Sequence, residues 1–329
     1  MRARAPGRVN LIGDHTDYTG GLVLPMAVNL ETVVDGTREG DHVSLVSADE
    51  PERALVSLSV DDPAAVSPPW ARYVAGVVAV LRPATGVHGT VFSTLPLGAG
   101  LSSSAALEVA VALAVGFEGT PLELAHACQE AEQRASGVPC GIMDQLASAA
   151  GVEGHALLID CTTFEVMPVP VPDGLDVVVV HSGVERGLGG TAYAQRRAEC
   201  EAAARQLGPL RDATLADAEG IDDPVIRRRA RHVVSENARV QAFAEALAAG
   251  RTGDLGPLMA ASHASLRDDF EVSIPALDDL VEHLASTPGV LGARLTGAGF
   301  GGCVVALAEP GAAVDGWRVR AATGATVEN

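Results

Sequence analysis

Lysine is missing from the sequence altogether. The glycine-rich stretch at residues 97–101 is therefore followed by no lysine, which excludes a phosphate loop of the Walker type. Cysteine is scarce. The five are Cys128, Cys140, Cys161, Cys200 and Cys303, an odd number at wide spacing with no CxxC pair. That excludes a zinc knuckle and a disulfide framework, and reads as reduced thiols in a cytoplasmic protein. No apolar run approaches the ~20 residues that cross a bilayer. The polar start, with Arg2, Arg4 and Arg8, lacks the apolar core of a signal peptide. Positive charge is in short supply too: 23 basic residues face 42 acidic ones, a net charge of −19. Such a surface repels nucleic acid and anionic lipid, so neither is expected as a partner. It does not exclude a nucleotide, because a local site can reverse the global sign. Internal repeats and low-complexity linkers are also lacking.

What is present is ample apolar content, 47% over 329 residues. That length is large for one core and comfortable for two. Val- and Leu-rich strand patterns occupy residues 21–34, 43–47, 54–60 and 87–94. Helical patterns follow at 70–81, 102–115, 122–135 and 142–150, two of them entered through proline. The second half carries strand patterns at 156–160, 164–169 and 176–181. Long polar, Ala-rich helices are expected at 192–207, 224–248, 255–267 and 274–285, and closing strands at 293–295 and 303–307. Strand runs mixed with helix runs, without a strict alternation, predict an α+β protein. A soft boundary near residue 150 divides the chain into 1–150 and 151–329.

The most informative stretch is PLGAGLSSSAALE at residues 96–108. Gly98 and Gly100 allow backbone N–H groups close to an anion. Ser102, Ser103 and Ser104 cap the next helix and offer hydroxyls. The unpaired N–H groups and positive dipole end of that helix suit phosphate. Alone, the stretch reads first as a glycine turn with a serine cap; three further segments reverse that reading.

These are APGRVNLIGDHTDYTGGLVLP at residues 5–25, CGIMDQ at 140–145 and LTGAGFGGC at 295–303. Together with HALLIDC at 155–161 and SHASLRDDFEVSIPALD at 262–278, they make the chain resemble the GHMP kinases (galactose, homoserine, mevalonate and phosphomevalonate kinases), and within them the galactokinase group. The resemblance runs over residues 5–307. It implies a two-lobed α+β fold with the active site in the cleft between the lobes. It also implies ATP-dependent phosphorylation of the anomeric hydroxyl of galactose, chemistry that needs positioning and charge neutralisation above all.

The resemblance further assigns roles. Asp144 would stand next to the sugar C1 hydroxyl, with Arg8 beside it stabilising the charge. Asp14, His15, Asp17, Gly141 and Tyr193 would bind the sugar. Trp70, Gly98, Gly100, Leu101, Ser102, Ser103 and Ser104 would bind ATP, with Trp70 stacked near the adenine. Ser104 and Glu132 would hold Mg²⁺, an ion that takes few protein ligands. Gly297, Gly299, Gly301 and Gly302 would let backbone approach the phosphates and the sugar. The chain is expected to act on a small sugar as a monomer or weak homo-oligomer. It departs from the usual pattern at Asp14, where a glutamate is usual, at His181-Ser182 in place of Asn-Ser, at Glu185-Arg186, and in its shorter ends. The shortened acid at position 14 leaves open a related sugar (an arabinose, a uronic acid or an amino sugar). A non-catalytic sugar and ATP sensor is the third reading; the serines and Asp144 stand against it.

Overall fold

The computed structural model describes residues 1–96, 100–185 and 189–328. In chain order the first half comprises β1 (Arg2–Asn10), β2 (Leu22–Val23), β3 (Pro25–Arg38), β4 (His42–Ser47), β5 (Ala54–Ser57), α1 (Ala71–Leu81), β6 (Val87–Ser93), α2 (Ser103–Ala114), α3 (Pro121–Ser136) and α4 (Met143–Ala150). The second half comprises β7 (His155–Asp160), β8 (Val166–Pro170), β9 (Asp176–His181), α5 (Gly189–Leu207), α6 (Leu215–Glu219), α7 (Pro224–Ala248), α8 (Thr252–Asp268), α9 (Pro275–Ala285), β10 (Val290–Thr296), β11 (Cys303–Ala308), β12 (Trp317–Val319) and β13 (Thr326–Glu328). The helix starts follow local chemistry. Thr120 and Glu123 form a reciprocal cap on α3, with Pro121 in its first turn. Asp223 accepts from the N–H groups of Val225 and Ile226 at the start of α7.

Three sheets organise these elements. The first has the order β13-β1-β3-β6-β4-β5, the second β10-β11-β9-β12 and the third β2-β7-β8. One core gathers α1 and α2 over the first sheet, around Val34, Val74, Val78 and Val109. A second cluster joins Val9, Leu24 and Met26 of the first half to Val177, Phe243 and Val305 of the second. The halves thus share packed apolar side chains. The boundary at residue 150 cannot divide the chain cleanly, because β13, the last strand, pairs with β1. Among the described residues no helix is long and apolar enough to cross a membrane.

The strand that matters most for the site, β1, has no visible periodicity, because Pro6 and Gly7 interrupt it. Its register against β3 shifts between Pro6 and Arg8, a bulge that re-aims the following side chains. At the bulge the strand touches the entrance of α2: the Arg8 N–H donates to the Leu101 carbonyl at 3.0 Å. A Cβ on Gly7 would overlap that same carbonyl and the Leu95 side chain. Only glycine lets β1 sit directly on the helix entrance. Gly7→Ala should therefore destabilise the protein by roughly 1–3 kcal/mol, as overpacking does. It should also weaken ATP binding, since the carbonyl it displaces belongs to the segment that the resemblance assigns to phosphate. Urea unfolding and nucleotide titration of the variant check both; an unchanged midpoint contradicts the contact.

Candidate active site

Beyond the bulge, β1 delivers Arg8 to the mouth of α2. Its side chain is 5% exposed. Nε donates to Asp144 Oδ1 and Nη2 to Asp144 Oδ2, both at 2.7 Å, while Nη1 donates to the Gly100 carbonyl at 2.7 Å. Asp144 stands in the first turn of α4. Its Oδ2 also accepts from the Ser102 hydroxyl at 2.5 Å. One carboxylate thus gathers donors from the strand before the bulge's partner helix and from the helix entrance itself. The expectation that Ser102 caps α2 through its side chain is corrected. Ser102 adopts a left-handed conformation (φ 57°, ψ 49°) and makes no side-chain cap, because its hydroxyl goes to Asp144. The first N–H groups of α2 are left without a side-chain acceptor from their own N-cap. Ser103 and Ser104 form the first turn, and Leu101 is buried below it. Gly98 lies outside the described residues, as do Leu97, Ala99 and Arg186.

A second carboxylate faces the same helix. Glu132, on α3, accepts from the Ser104 hydroxyl at 3.0 Å and from the Gln145 side-chain amide. Gln145 reaches on to Glu108 at 3.3 Å. Burial pushes the Glu132 carboxyl up to about 7; the Asp144 charge adds to this, and the bonds from Ser104 and Gln145 offset part of it. Burial drives Glu108 well above the carboxylate range, and the neighbouring Glu132 adds to the rise. Among the described residues no group of three or more His, Cys, Asp or Glu side chains could hold a metal ion. A hydroxyl and one carboxylate is a ligand set for a hard ion that takes its remaining oxygens from phosphate and water.

Asp17 forms the other wall. Its carboxyl lies against the Gly141 backbone so closely that a Cβ on Gly141 would overlap it. Burial, then the charge of Asp144, raises it to about 7. His15, Tyr18 and Tyr193 pack around it: the His15 and Tyr193 rings are 5.5 Å apart and those of Tyr18 and Tyr193 5.4 Å. Tyr193 comes from α5, so this wall is shared by both halves of the chain.

Two expected residues are placed differently. Trp70 is 9% exposed, packs in the core under the first sheet and donates its indole N–H to the Glu52 carbonyl at 3.0 Å. It sits in the core and offers no open platform for adenine. Asp14 is 1% exposed, with Oδ1 accepting the Gly297 N–H at 2.8 Å and Oδ2 accepting from Arg294 at 2.5 Å. Gln145, Glu108, Tyr18 and Arg294 were not singled out from the sequence, although the first three lie within recognised motifs and Arg294 directly precedes one.

The model for the galactokinase galactose-binding signature matches residues 1–38, the GHMP kinases N terminal domain residues 72–152 and the GHMP kinases C terminal residues 243–321. Human galactokinase is 47% identical, over 95% of this chain and 85% of the relative. The chain belongs to the galactokinase family of GHMP kinases. The bovine galactokinase is 49% identical over the same shares, 95% and 85%. The crystal structure of Lactococcus lactis galactokinase complexed with galactose superposes with a TM-score of 0.90 at 31% identity, covering 99% of this chain and 94% of that one. For this family member the two-lobed α+β fold is thus established.

Glu132 gives a stability signature. Its carboxyl titrates near 4.5 when unfolded and near 7 in the fold. Between those values the folded chain keeps a proton that the unfolded chain has lost, so stability falls as pH rises through the window. Glu132→Gln removes this dependence. The variant's gain over wild type, measured by thermal melting without ligand, should be larger at pH 8 than at pH 5. A gain independent of pH contradicts the raised titration.

Proposed function

We propose that the chain transfers the γ-phosphoryl group of ATP to the anomeric hydroxyl of galactose, giving galactose 1-phosphate and ADP. The observation that carries this reading is the convergence on Asp144. Arg8 comes from the galactose-binding signature and Ser102 from the phosphate segment, and both donate to the same carboxylate. The sugar hydroxyl and the phosphoryl group are thereby brought to one point, which is most of what such a transfer requires.

The roles follow from the geometry. Asp144 retains 29% exposure on its open side, where it orients the acceptor hydroxyl and takes its proton as the new O–P bond forms. Arg8 holds both carboxylate oxygens and so fixes the plane of that group. Asp17, seated against Gly141, accepts further sugar hydroxyls, and His15 and Tyr193 close the pocket side. The free first N–H groups of α2 face the phosphates, with Gly100, Leu101, Ser103 and Ser104 around them. Ser104 and Glu132 would hold Mg²⁺. The fit is favourable, since both ligands are hard oxygens and a cation would favour the ionised form of the buried Glu132. Bound there, Mg²⁺ supplies charge neutralisation for the phosphate oxygens. All these side chains come from one chain, so a monomer suffices. The five free cysteines suit a cytoplasmic setting.

Two measurements test the reading. A coupled ADP-release assay over a sugar panel should give galactose the highest kcat/KM; no rate above background with galactose, beside a clear rate with another sugar, removes galactose as the substrate. Asp144→Asn should bind ATP within a few-fold of wild type yet lose about 10³-fold in kcat. Loss of nucleotide binding in the folded variant contradicts the assignment of Asp144 to the acceptor side.

A further inference from the structure

We propose that Asp14 is a positioning residue that clasps the C-terminal glycine turn to the sugar-binding segment, and that it does not read the sugar. The inference rests on the sugar phosphorylation proposed above. It reassigns the residue that the family resemblance places among the sugar ligands.

The Asp14 carboxylate is engaged inside the protein. Each carboxylate oxygen accepts one protein donor, the Gly297 N–H at 2.8 Å and the Arg294 guanidinium at 2.5 Å, and unlike Asp144 the group has no exposed side. The residue is 1% exposed and Arg294 is fully buried. Its backbone is fixed too: the Asp14 carbonyl lies 3.1 Å from Nε2 of the buried His232. Arg294 reaches the same segment a second time, through Nη1 to the Leu11 carbonyl at 3.2 Å. Two residues on, the Thr296 hydroxyl donates to the Asn10 carbonyl at 2.9 Å. The end of β10 is thus stitched to residues 10–14.

His15 continues the clasp. Its Nε2 lies 3.2 Å from the Ala298 carbonyl, and its Nδ1 lies 2.9 Å from the Tyr18 hydroxyl. A carbonyl only accepts, so Nε2 carries a hydrogen. Consecutive side chains, 14 and 15, therefore grip consecutive residues, Gly297 and Ala298. The turn they hold has positive φ at Gly297, Gly299, Phe300, Gly301 and Gly302, a conformation with little intrinsic preference, which needs outside contacts to fix it.

The shorter acid fits this role. A glutamate would carry its carboxylate more than about 1 Å further from the backbone. Aspartate keeps it level with Gly297 and Arg294. A sugar hydroxyl arriving there would have to enter a buried ion pair, and breaking such a pair is strongly unfavourable. The hydroxyl-reading carboxylates are then Asp17 and Asp144, both at the open side of the wall.

The test measures kcat and KM for wild type, Asp14→Asn, Asp14→Glu and Arg294→Lys with galactose and a set of monodeoxygalactoses. A clasp predicts that each variant loses about 10²-fold in kcat, the scale of a small misplacement. The variant-to-wild-type ratio should be the same for every sugar, with KM changed less than threefold. A penalty that vanishes for one deoxy sugar means that Asp14 reads the missing hydroxyl, and overturns the proposal; so does a set of variants with wild-type kcat. Asp14→Glu retains the charge and keeps the test decisive if Asp14→Asn does not fold. Amide hydrogen exchange without sugar gives an independent reading. Exchange across residues 296–302 should quicken at least tenfold in the variants, and unchanged exchange overturns the clasp. The wild-type row alone bears on the proposed activity, so failure there is distinguishable from failure of the clasp.

Discussion

The Arg8 guanidinium is the interaction on which the site depends. Three nitrogens hold three hydrogen bonds, two to Asp144 on α4 and one to the Gly100 carbonyl at the entrance of α2. The side chain is almost fully buried, so its charge is satisfied only by these partners. Losing one partner of such a pair costs about 3–5 kcal/mol, because the other is left charged and unpaired. A lysine could not replace it, since an ammonium lacks the planar fork that meets two carboxylate oxygens at once. In a chain without lysine, both buried cations that organise the cleft, Arg8 and Arg294, are of the kind that fixes direction as well as charge.

Around this cation the structure concentrates negative charge. Asp17, Glu108, Glu132 and Asp144 come from four segments, and charges among them raise the titration of Asp17, Glu108 and Glu132; the Asp14 charge reaches Asp17 as well. Only Asp14 and Asp144 are matched by a buried arginine. Burial first, and the Asp144 charge second, raise Asp17 and Glu132 to about 7. The unliganded fold therefore carries a local electrostatic cost that a cation at Glu132 and sugar hydroxyls at Asp17 would relieve. A site prepared for charges that arrive later is expected to be less stable than the rest of the fold.

The fold was legible where periodicity and local rules agree. Helix α7, with Pro224 at its start and Asp223 before it, and strand β9, a run of valines, lie within a residue of their expected bounds. Strand β1 was illegible, because its Pro-Gly pair breaks the pattern. The break is itself the device that seats the strand on α2. Strands β12 and β13 were missed because three residues carry too little pattern, and β13 is held by pairing with residue 2 of a chain that ends over 300 residues later.

The site divides along a different line. Asp144, Arg8, Ser104 and Glu132, which the family resemblance put forward, are brought together in the fold. What the motifs could not show is which partners each side chain already has. Ser102 is a helix-capping residue by type, yet its hydroxyl is spent on Asp144, and that diversion leaves the α2 amides open. Trp70 is an aromatic near a nucleotide motif, yet its ring fills the core. Asp14 lies within the sugar signature, yet Arg294, 280 residues away, takes its carboxylate. Folding decides whether a carboxylate is enclosed with its partners, as Asp14 is, or keeps an open side, as Asp144 does. Function is read from the positions left over: the open edge of Asp144, the face of Asp17 and the first turn of α2.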